Sequence, residues 1–273
     1  MTSLGLDSRV TDMLAVFVDE HGRVLSRSTH ATLDAARAAT HEGQRPTSIG
    51  TVVHGGVVAG DATTVNPGAG IALSESWTGA AKGARHVIGL TLESSIHAGV
   101  VIDGRLFRGA HGVAGAVRWL ALNPVEREDY RKLGCLEAEV GGAGIIRRLV
   151  WRIKSGDRSR VQEMAGGNLA AITEQLIFEA ARQGDGVAIS VVRDTAKYIG
   201  MALANLVAIL DPEVVVLGGA IAEASDLLLE PTRAEMSRRV PPAAIEHVSV
   251  VPAMLGEESA AIGAARAALF AAQ

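Results

Sequence analysis

The chain has 273 residues, of which 48% are hydrophobic and 21% are charged, so it is long enough to bury one large core or two smaller ones. Its formal net charge of -4 gives no basic footprint for nucleic acid, and we expect no nucleic-acid partner. The single cysteine, Cys135, has no second cysteine for an internal disulfide, and no apolar run reaches the roughly 18 residues of a membrane span. We therefore expect no membrane partner, no secretory leader before Gly5 and a cytoplasmic location.

The first part of the chain predicts a small α/β unit that opens with a hairpin. Apolar runs at 4–7 and 13–18 read as two strands, and the polar segment 20–23 turns the chain toward a third strand. Apolar spacing after this hairpin predicts a helix over 31–43, a buried strand over 47–53 and a helix over 68–82.

The second part opens with the same pattern. Apolar runs at 87–92 and 98–102 predict two strands, and Asp103-Gly104 after them is a strong short-range hairpin signal. Two hairpins of one design predict two similar lobes. The remaining spacing predicts helices over 134–153, 168–183, 185–210 and 257–272, and strands over 214–217 and 248–251.

Three segments, 86–122, 133–138 and 211–219, carry a family resemblance. Together they resemble the ROK family of bacterial sugar kinases, repressors and uncharacterised reading frames. The resemblance implies an α/β, two-lobed actin-like or hexokinase-like (ribonuclease H-like) fold, in which glycine-rich hairpin turns bring backbone N–H groups close to nucleotide phosphates. It also implies a homodimer formed through the second lobe, as family members often are.

The first lobe is shorter than the resemblance implies for a kinase, because Asp7 and Asn66 are only 59 positions apart. We expect a shortened N-terminal lobe at 1–84 and a C-terminal lobe at 85–273, with a closing helix at 257–272 that packs back on the first lobe. We expect no DNA-binding extension, which separates this chain from the repressor branch of the family.

Both turns that hold phosphate in the family's kinases have lost their glycines. The family's Asp-x-Gly-Gly-Thr matches Asp7, which Ser8 and Arg9 follow here, although Arg9 could supply a positive charge instead. The family's Gly-Thr-Gly matches Glu93, Ser94 and Ser95, and a carboxylate there would repel a phosphate by on the order of 1 kcal/mol or more. We expect ordinary ATP-phosphate binding to be lost, and the alternative is that both turns work with altered glycine use.

The resemblance also locates the catalytic base. The family's Glu-Asn-Asp matches Val65, Asn66 and Pro67, so proline stands in place of the proton-accepting aspartate and we expect no catalytic residue. A missing general base typically removes a factor of roughly 100 to 10,000 in rate. Asn66 and Pro67 also fit a simple helix start, with Asn66 as N-cap, or Asn66 could face a ligand through its amide.

The family's sugar and zinc residues are altered as well. Its sugar-binding Glu-x-Gly-His is replaced by Ala116, Val117, Arg118 and Trp119, so specific sugar contacts there should be absent. The zinc site of many family members needs one histidine and three cysteines, and Cys135 is the only cysteine here. A tetrahedral site cannot be built from one thiolate, so we expect no metal, and Cys135 should be a packed small residue.

Four residues remain as candidate ligand contacts. Glu137 matches a sugar contact of the family, and the alternative is a carboxylate that favours a helix N-terminus or faces solvent. Asp7, Gly218 and Gly219 match positions near the nucleotide. By contrast, His54 has no metal partner at ligand spacing and reads as an isolated polar residue.

These residues together predict a ROK-like protein that has lost sugar kinase activity, needs no cofactor and binds a small metabolite, a sugar or a protein partner. The alternative is an active ATP-dependent sugar kinase that uses ATP and Mg²⁺, with its base and phosphate contacts moved to residues such as Asp61, Glu75 or Glu93. A third possibility is a structural or complex-forming role without any ligand.

Overall fold

The computed structural model describes residues 1–9, 11–54 and 63–272, which form two five-stranded sheets and the helices that cover them. The first sheet contains β1 (Thr2–Ser8), β2 (Met13–Asp19), β3 (Val24–His30), β4 (Ser48–Val52) and β5 (Thr64–Val65). The second contains β6 (Val87–Thr91), β7 (His97–Ile102), β8 (Arg105–Phe107), β9 (Val214–Gly218) and β10 (Ser249–Pro252).

The two sheets share one topology. The first has the strand order β3-β2-β1-β4-β5 and the second has the order β8-β7-β6-β9-β10. In each, the first three strands form an antiparallel meander and the last two run parallel to the first strand. The two hairpins that the sequence predicts thus open two copies of the same sheet. The division of the chain between residues 84 and 85 stays a prediction.

The helices, in chain order, are α1 (Leu33–Arg37), α2 (Pro67–Trp77), α3 (Glu128–Leu133), α4 (Cys135–Val140), α5 (Gly142–Lys154), α6 (Arg160–Met164), α7 (Glu174–Arg182), α8 (Gly186–Leu210), α9 (Ser225–Ser237), α10 (Pro242–His247) and α11 (Ser259–Ala271). Within the three described ranges, no helix is both long and apolar enough to cross a membrane.

Four of the predicted helices differ from those observed. The helix expected over 68–82 ends at Trp77, and the one expected over 168–183 begins only at Glu174. The helix expected over 31–43 spans only Leu33–Arg37, and the rest of the predicted range holds a turn with positive φ at Glu42 and Gly43. The helix expected over 134–153 is two helices, α4 and α5, separated by Gly141 in an extended conformation. Two consecutive glycines weaken a helix at this point, since glycine loses the most backbone freedom on folding.

A pair of closely packed helices, α2 and α11, lies between the sheets. Helix α11 packs on β1 and β4, helix α2 packs on β6 and β7, and the two helices contact each other. A methyl group added to Gly263 would come within 1.9 Å of the Gly70 carbonyl oxygen, so the helix backbones touch directly. The start of α2 and the carboxyl ends of β1 and β6 therefore keep fixed positions relative to one another.

Candidate functional site

Asp7 lies at the carboxyl end of β1 and is paired with His54. β1 runs parallel to β4 and Asp7 is in register with Val52, so His54, two residues later, reaches the same edge of the sheet. Its Nε2 lies 2.6 Å from Asp7 Oδ1, and Asp7 is buried. This hydrogen bond raises the pKa of His54, while burial acts in the opposite direction. The interpretation of His54 as an isolated residue is therefore wrong.

Glu93 follows β6 and rests on the backbone of Gly219. A methyl group on Gly219 would lie 2.6 Å from Glu93 Cγ and 3.0 Å from its Oε1. The backbone around this contact is fixed, because Leu92 N donates to Gly218 O at 2.7 Å and Ile221 N donates to Leu92 O at 2.8 Å. The Glu93 side chain thus covers the glycine that the sequence places near a nucleotide.

The charges around Glu93 come from both sheets. Burial raises the pKa of Glu93, and the carboxylates of Asp7 and Glu223 act in the same direction. The His54 ring opposes this shift, and Glu93 in turn contributes to the raised pKa of His54. Glu93 is therefore close enough to the Asp7–His54 pair for the three groups to interact electrostatically.

These turns do not fit nucleotide phosphates well. In the described part of the first turn, Arg9 N donates to Asp12 O at 2.7 Å and closes the loop on itself. The Arg9 guanidinium pairs with Glu257 at 3.2 Å, so its charge is already partnered within the chain. On the other side the Glu93 carboxylate occupies the surface of Gly219, where a phosphate oxygen would meet a like charge.

Asn66 and Pro67 begin helix α2. Asn66 Oδ1 accepts from Ala69 N at 2.8 Å, Asn66 Nδ2 donates to Ala98 O at 3.2 Å, and Pro67 is the buried first residue of the helix. Both ends of the amide are used within the chain, which supports the helix-start interpretation. A ligand contact by Asn66 stays a prediction.

Glu137 is buried and its carboxylate is fully engaged. Its Oε2 accepts from Ser95 Oγ at 2.8 Å and from Ile96 N at 2.9 Å, and its Oε1 lies 3.2 Å from Arg118 Nη2. Arg118 is held in place because its Nε also donates to Leu133 O at 2.9 Å. Arg118 stands where the family resemblance has a glycine, so a ligand could reach Glu137 only by displacing the guanidinium.

His97 and Trp119 complete the surroundings of Glu137. Burial lowers the pKa of His97, and its Nε2 is buried without a hydrogen-bond partner among the described residues. Trp119 is 52% exposed, with the Arg118 guanidinium 5.3 Å from its ring centroid. Long side chains therefore fill the place where the resemblance implies a sugar-binding Glu-x-Gly-His.

Of the residues named above as alternative catalytic bases, the structure describes Glu75 but not Asp61. Glu75 is completely buried and accepts hydrogen bonds from the backbone N–H groups of Ala80, Met254 and Leu255. It joins the end of α2 to the turn before α11, so its role is structural. Asp61 lies outside the described residues.

No three His, Cys, Asp or Glu side chains in residues 1–9, 11–54 and 63–272 are close enough together to hold a metal ion. Cys135 is buried at the start of α4, and it is a free cysteine that forms no disulfide. The absence of zinc stays a prediction that elemental measurement can test.

Both kinases and repressors are found among the proteins that are similar to this chain in sequence, and their sequence identities to it are close. A glucokinase from Halalkalibacterium halodurans is 31% identical over 70% of this chain and 58% of the relative. A xylose repressor from Caldicellulosiruptor bescii is also 31% identical, over 62% of this chain and 42% of the relative. The chain thus spans less than two thirds of the length of these relatives.

The fold and the family follow from two further findings. A crystal structure of a ROK family glucokinase from Streptomyces griseus, in complex with glucose and AMPPNP, matches with a TM-score of 0.79 and 26% identity, covering 99% of this chain and all of that one. The expected two-lobed hexokinase-like fold is confirmed by this match. The ROK family model matches residues 63–271, and the chain belongs to the ROK family.

Proposed function

We propose that this ROK-family protein has lost sugar kinase chemistry and binds a small metabolite or sugar without phosphorylating it. The observation that carries the proposal is Pro67, which is buried at the first position of α2, where the family resemblance places the catalytic aspartate. Its side chain cannot accept a proton, and the neighbouring Asn66 amide is used as a helix cap. The expected cost of a missing base is a factor of roughly 100 to 10,000 in rate.

Two other contacts support the proposal. Glu93 covers Gly219 where the resemblance implies phosphate, and Arg118 pairs with Glu137 where it implies a sugar hydroxyl. The catalytic base, the phosphate site and the sugar site act as a unit in phosphoryl transfer. Because all three are altered here, none of them can compensate for the loss of the others.

The names of several relatives favour a second candidate, an active ATP-dependent sugar kinase that uses Mg²⁺. The glucokinase matches over 70% of this chain and the repressor over 62%, so the comparisons favour this second candidate, and the loss of activity rests on the site residues alone. Under this second candidate a new base is needed. Among the described residues, His54 fits best, because the buried Asp7 orients its ring and raises its pKa.

An assay of phosphoryl transfer separates the candidates. The full chain would be incubated with ATP and Mg²⁺ and with glucose, mannose, N-acetylglucosamine or N-acetylmannosamine, and ADP formation would be followed. We expect no sugar-dependent turnover, and turnover above about 1 s⁻¹ would establish the second candidate. In that case His54→Gln would identify the base, with His21→Gln, on the exposed β2–β3 turn, as the matched control.

Ligand binding without turnover is measured separately. Unfolding in the presence of each sugar, without ATP, should shift for any sugar that binds, since a ligand at about 100 times its Kd stabilises the folded state by about 2.7 kcal/mol. No shift with any sugar, together with no turnover, would leave the structural role as the remaining interpretation. We also expect a homodimer and a cytoplasmic location, and light scattering of the purified protein measures the former.

A further inference from the structure

The described residues line a pocket of about 520 Å³ at the edge of the first sheet, on the β2–β3 side. Its lining comes from the first hairpin turn, from β2 and β3, and from the turn before α11. The lining residues are Arg9, Leu14, Arg27, Ser28, Thr29, Leu255, Glu257 and Glu258. A volume of this size lies within the range of small-molecule sites, about 300 to 1,000 Å³.

The two charged walls of the pocket have opposite signs. The first hairpin turn and β3 contribute the two cations, Arg9 and Arg27, and the turn before α11 contributes both anions, Glu257 and Glu258. Each cation faces one anion, at 3.2 Å between Arg9 Nη1 and Glu257 Oε2 and at 2.6 Å between Arg27 Nη1 and Glu258 Oε1. The charges of the two walls therefore balance.

The floor of the pocket is apolar and its acidic wall is anchored. Leu14 is buried, and Leu255 packs beside it in the same apolar cluster. The backbone N–H groups of Met254 and Leu255 both donate to the buried Glu75 carboxylate at 2.9 Å. This anchor attaches the acidic wall of the pocket to the end of α2.

Each ion pair joins one exposed and one partly buried side chain. The exposed fractions are 33% for Arg9 and 78% for Glu257, and 67% for Arg27 and 21% for Glu258, so solvent reaches both pairs and weakens them. A ligand with a carboxylate and an ammonium group can pair with the arginine wall and the glutamate wall together and so replace both pairs. A simple anion would meet Glu257 and Glu258, a simple cation would meet Arg9 and Arg27, and a neutral sugar would satisfy neither wall.

We propose that this pocket binds an α-amino acid with an apolar side chain, whose carboxylate faces Arg9 and Arg27, whose ammonium group faces Glu257 and Glu258, and whose side chain lies on Leu14 and Leu255. The lining of this pocket does not include Asn66, Glu93 or Glu137, so the proposal does not depend on the function of those residues.

Isothermal titration of the full chain with leucine, leucinamide and N-acetylleucine tests the proposal. Leucinamide lacks the carboxylate and N-acetylleucine lacks the ammonium group. We expect leucine, or another apolar amino acid of a panel with valine, isoleucine, methionine and phenylalanine, to bind at least about tenfold more tightly than its two blocked forms. No binding of any panel member at millimolar concentration, or equal binding of a blocked form, would overturn the proposal.

Variants locate the site. Arg27→Gln and Glu258→Gln should each weaken amino-acid binding by about tenfold or more, because each removes one of the two charge-assisted contacts. Arg23→Gln is the matched control, since it breaks a comparable exposed ion pair, with Asp19, at the turn of the same hairpin. All three variants should keep the circular dichroism of the parent. Undiminished binding by both Arg27→Gln and Glu258→Gln would place the amino acid elsewhere and refute the assignment.

Discussion

His54 takes up a proton more readily than an ordinary histidine because its Nε2 lies 2.6 Å from the Asp7 carboxylate. A folded-state pKa above the unfolded value of about 6.5 means that the pair stabilises the protein fully below that pH. This stabilisation is lost as the pH rises through the folded-state pKa. We expect His54→Gln to be less stable than the parent in mildly acidic buffer and the gap to close in alkaline buffer.

Urea unfolding of both proteins across this pH range measures the gap. Asp7→Asn is the companion variant, because it keeps the shape of the partner and removes its charge, and it should lower the pKa of the His54 ring in an NMR titration. A gap between His54→Gln and the parent that does not vary with pH would contradict the ion pair.

The contribution of Glu93 to stability should vary with pH in the opposite sense to that of a carboxylate whose pKa is lowered by an ion pair or hydrogen bonds. Burial raises its folded-state pKa above the ordinary value of 4.5, so its favourable contribution is present below that pH and is lost as the pH rises through the folded-state pKa. Above its folded-state pKa, the ionised Glu93 carboxylate is therefore destabilising relative to the protonated form. We expect Glu93→Gln to unfold at a higher temperature than the parent at neutral pH, and this gain to vanish in acid.

Glu213 provides the control for this prediction. The backbone N–H groups of His86 and Arg85 donate to its carboxylate and lower its pKa, so Glu213→Gln should lose stability at neutral pH. If Glu93→Gln lost stability to a similar extent, the Glu93 carboxylate would have to be stabilised by contacts that outweigh its burial.

Local contacts were predictable from the sequence and distant ones were not. Asn66 caps a helix that starts one residue later, and residue type alone indicated this. His54 and Asp7 are 47 positions apart, and only the parallel pairing of β1 with β4 brings them together. Because parallel strands end at one edge of a sheet, the strand order would have been sufficient to suggest this pair.

The contact between α2 and α11 leads to a prediction at the level of elements. Gly263→Ala would place a methyl group 1.9 Å from the Gly70 carbonyl oxygen, and backbone on both sides leaves no flexible side chain to move. We expect the free energy of unfolding to fall by at least about 2 kcal/mol, the scale of overpacking in a dense core.

Gly186→Ala is the matched control, since Gly186 is also helical and no atom lies within 4 Å of an added methyl group. This change should leave stability unchanged or raise it by about 0.5 kcal/mol. Equal effects of Gly186→Ala and Gly263→Ala in urea unfolding would mean that α2 and α11 are not in backbone contact.

Element boundaries were predictable where a cap and a long apolar period coincide. Helix α8 was predicted over 185–210 and spans Gly186–Leu210, with the Asp185 side chain accepting from Ala188 N at its start. Helices α4 and α5 were merged in the prediction because the apolar period continues across Gly141, where the backbone is extended. Periodicity alone does not register such a break.

At the scale of the whole molecule, the repeated hairpin pattern was sufficient to predict two lobes of one topology. The side-by-side position of α2 and α11 between the sheets was not predictable, because the contact joins segments almost 200 residues apart through small side chains without a distinctive pattern. Chemistry at the ends of β1 and β6 depends on this arrangement, since it sets how Asp7 and Glu93 face each other.

The same arrangement predicts that Pro67→Asp alone will not produce sugar kinase activity. A new carboxylate at the start of α2 would restore a base. Glu93 would still cover Gly219, however, and Arg118 would still form an ion pair with Glu137. Phosphate positioning, sugar binding and base act as a unit, and their effects are strongly non-additive. The measurement is ATP-dependent phosphorylation of the same sugars, with Pro67→Asn as the matched control that cannot accept a proton.

A combined variant is the fairer test of whether the kinase site can be rebuilt. Glycine would replace Arg9, Val10, Glu93 and Ser95 together with Pro67→Asp, and Arg118→Gly would be added in a second version to free Glu137. Arg118 is the counter-charge of the buried Glu137, so the second version should be less stable than the first. Any gain in sugar contacts would therefore be accompanied by a loss of folding stability. Sugar phosphorylation by Pro67→Asp alone, at a rate above that of Pro67→Asn, would show that Glu93 and Arg118 yield to substrates. The protein would then differ from an active kinase by its base only, contrary to the proposed function.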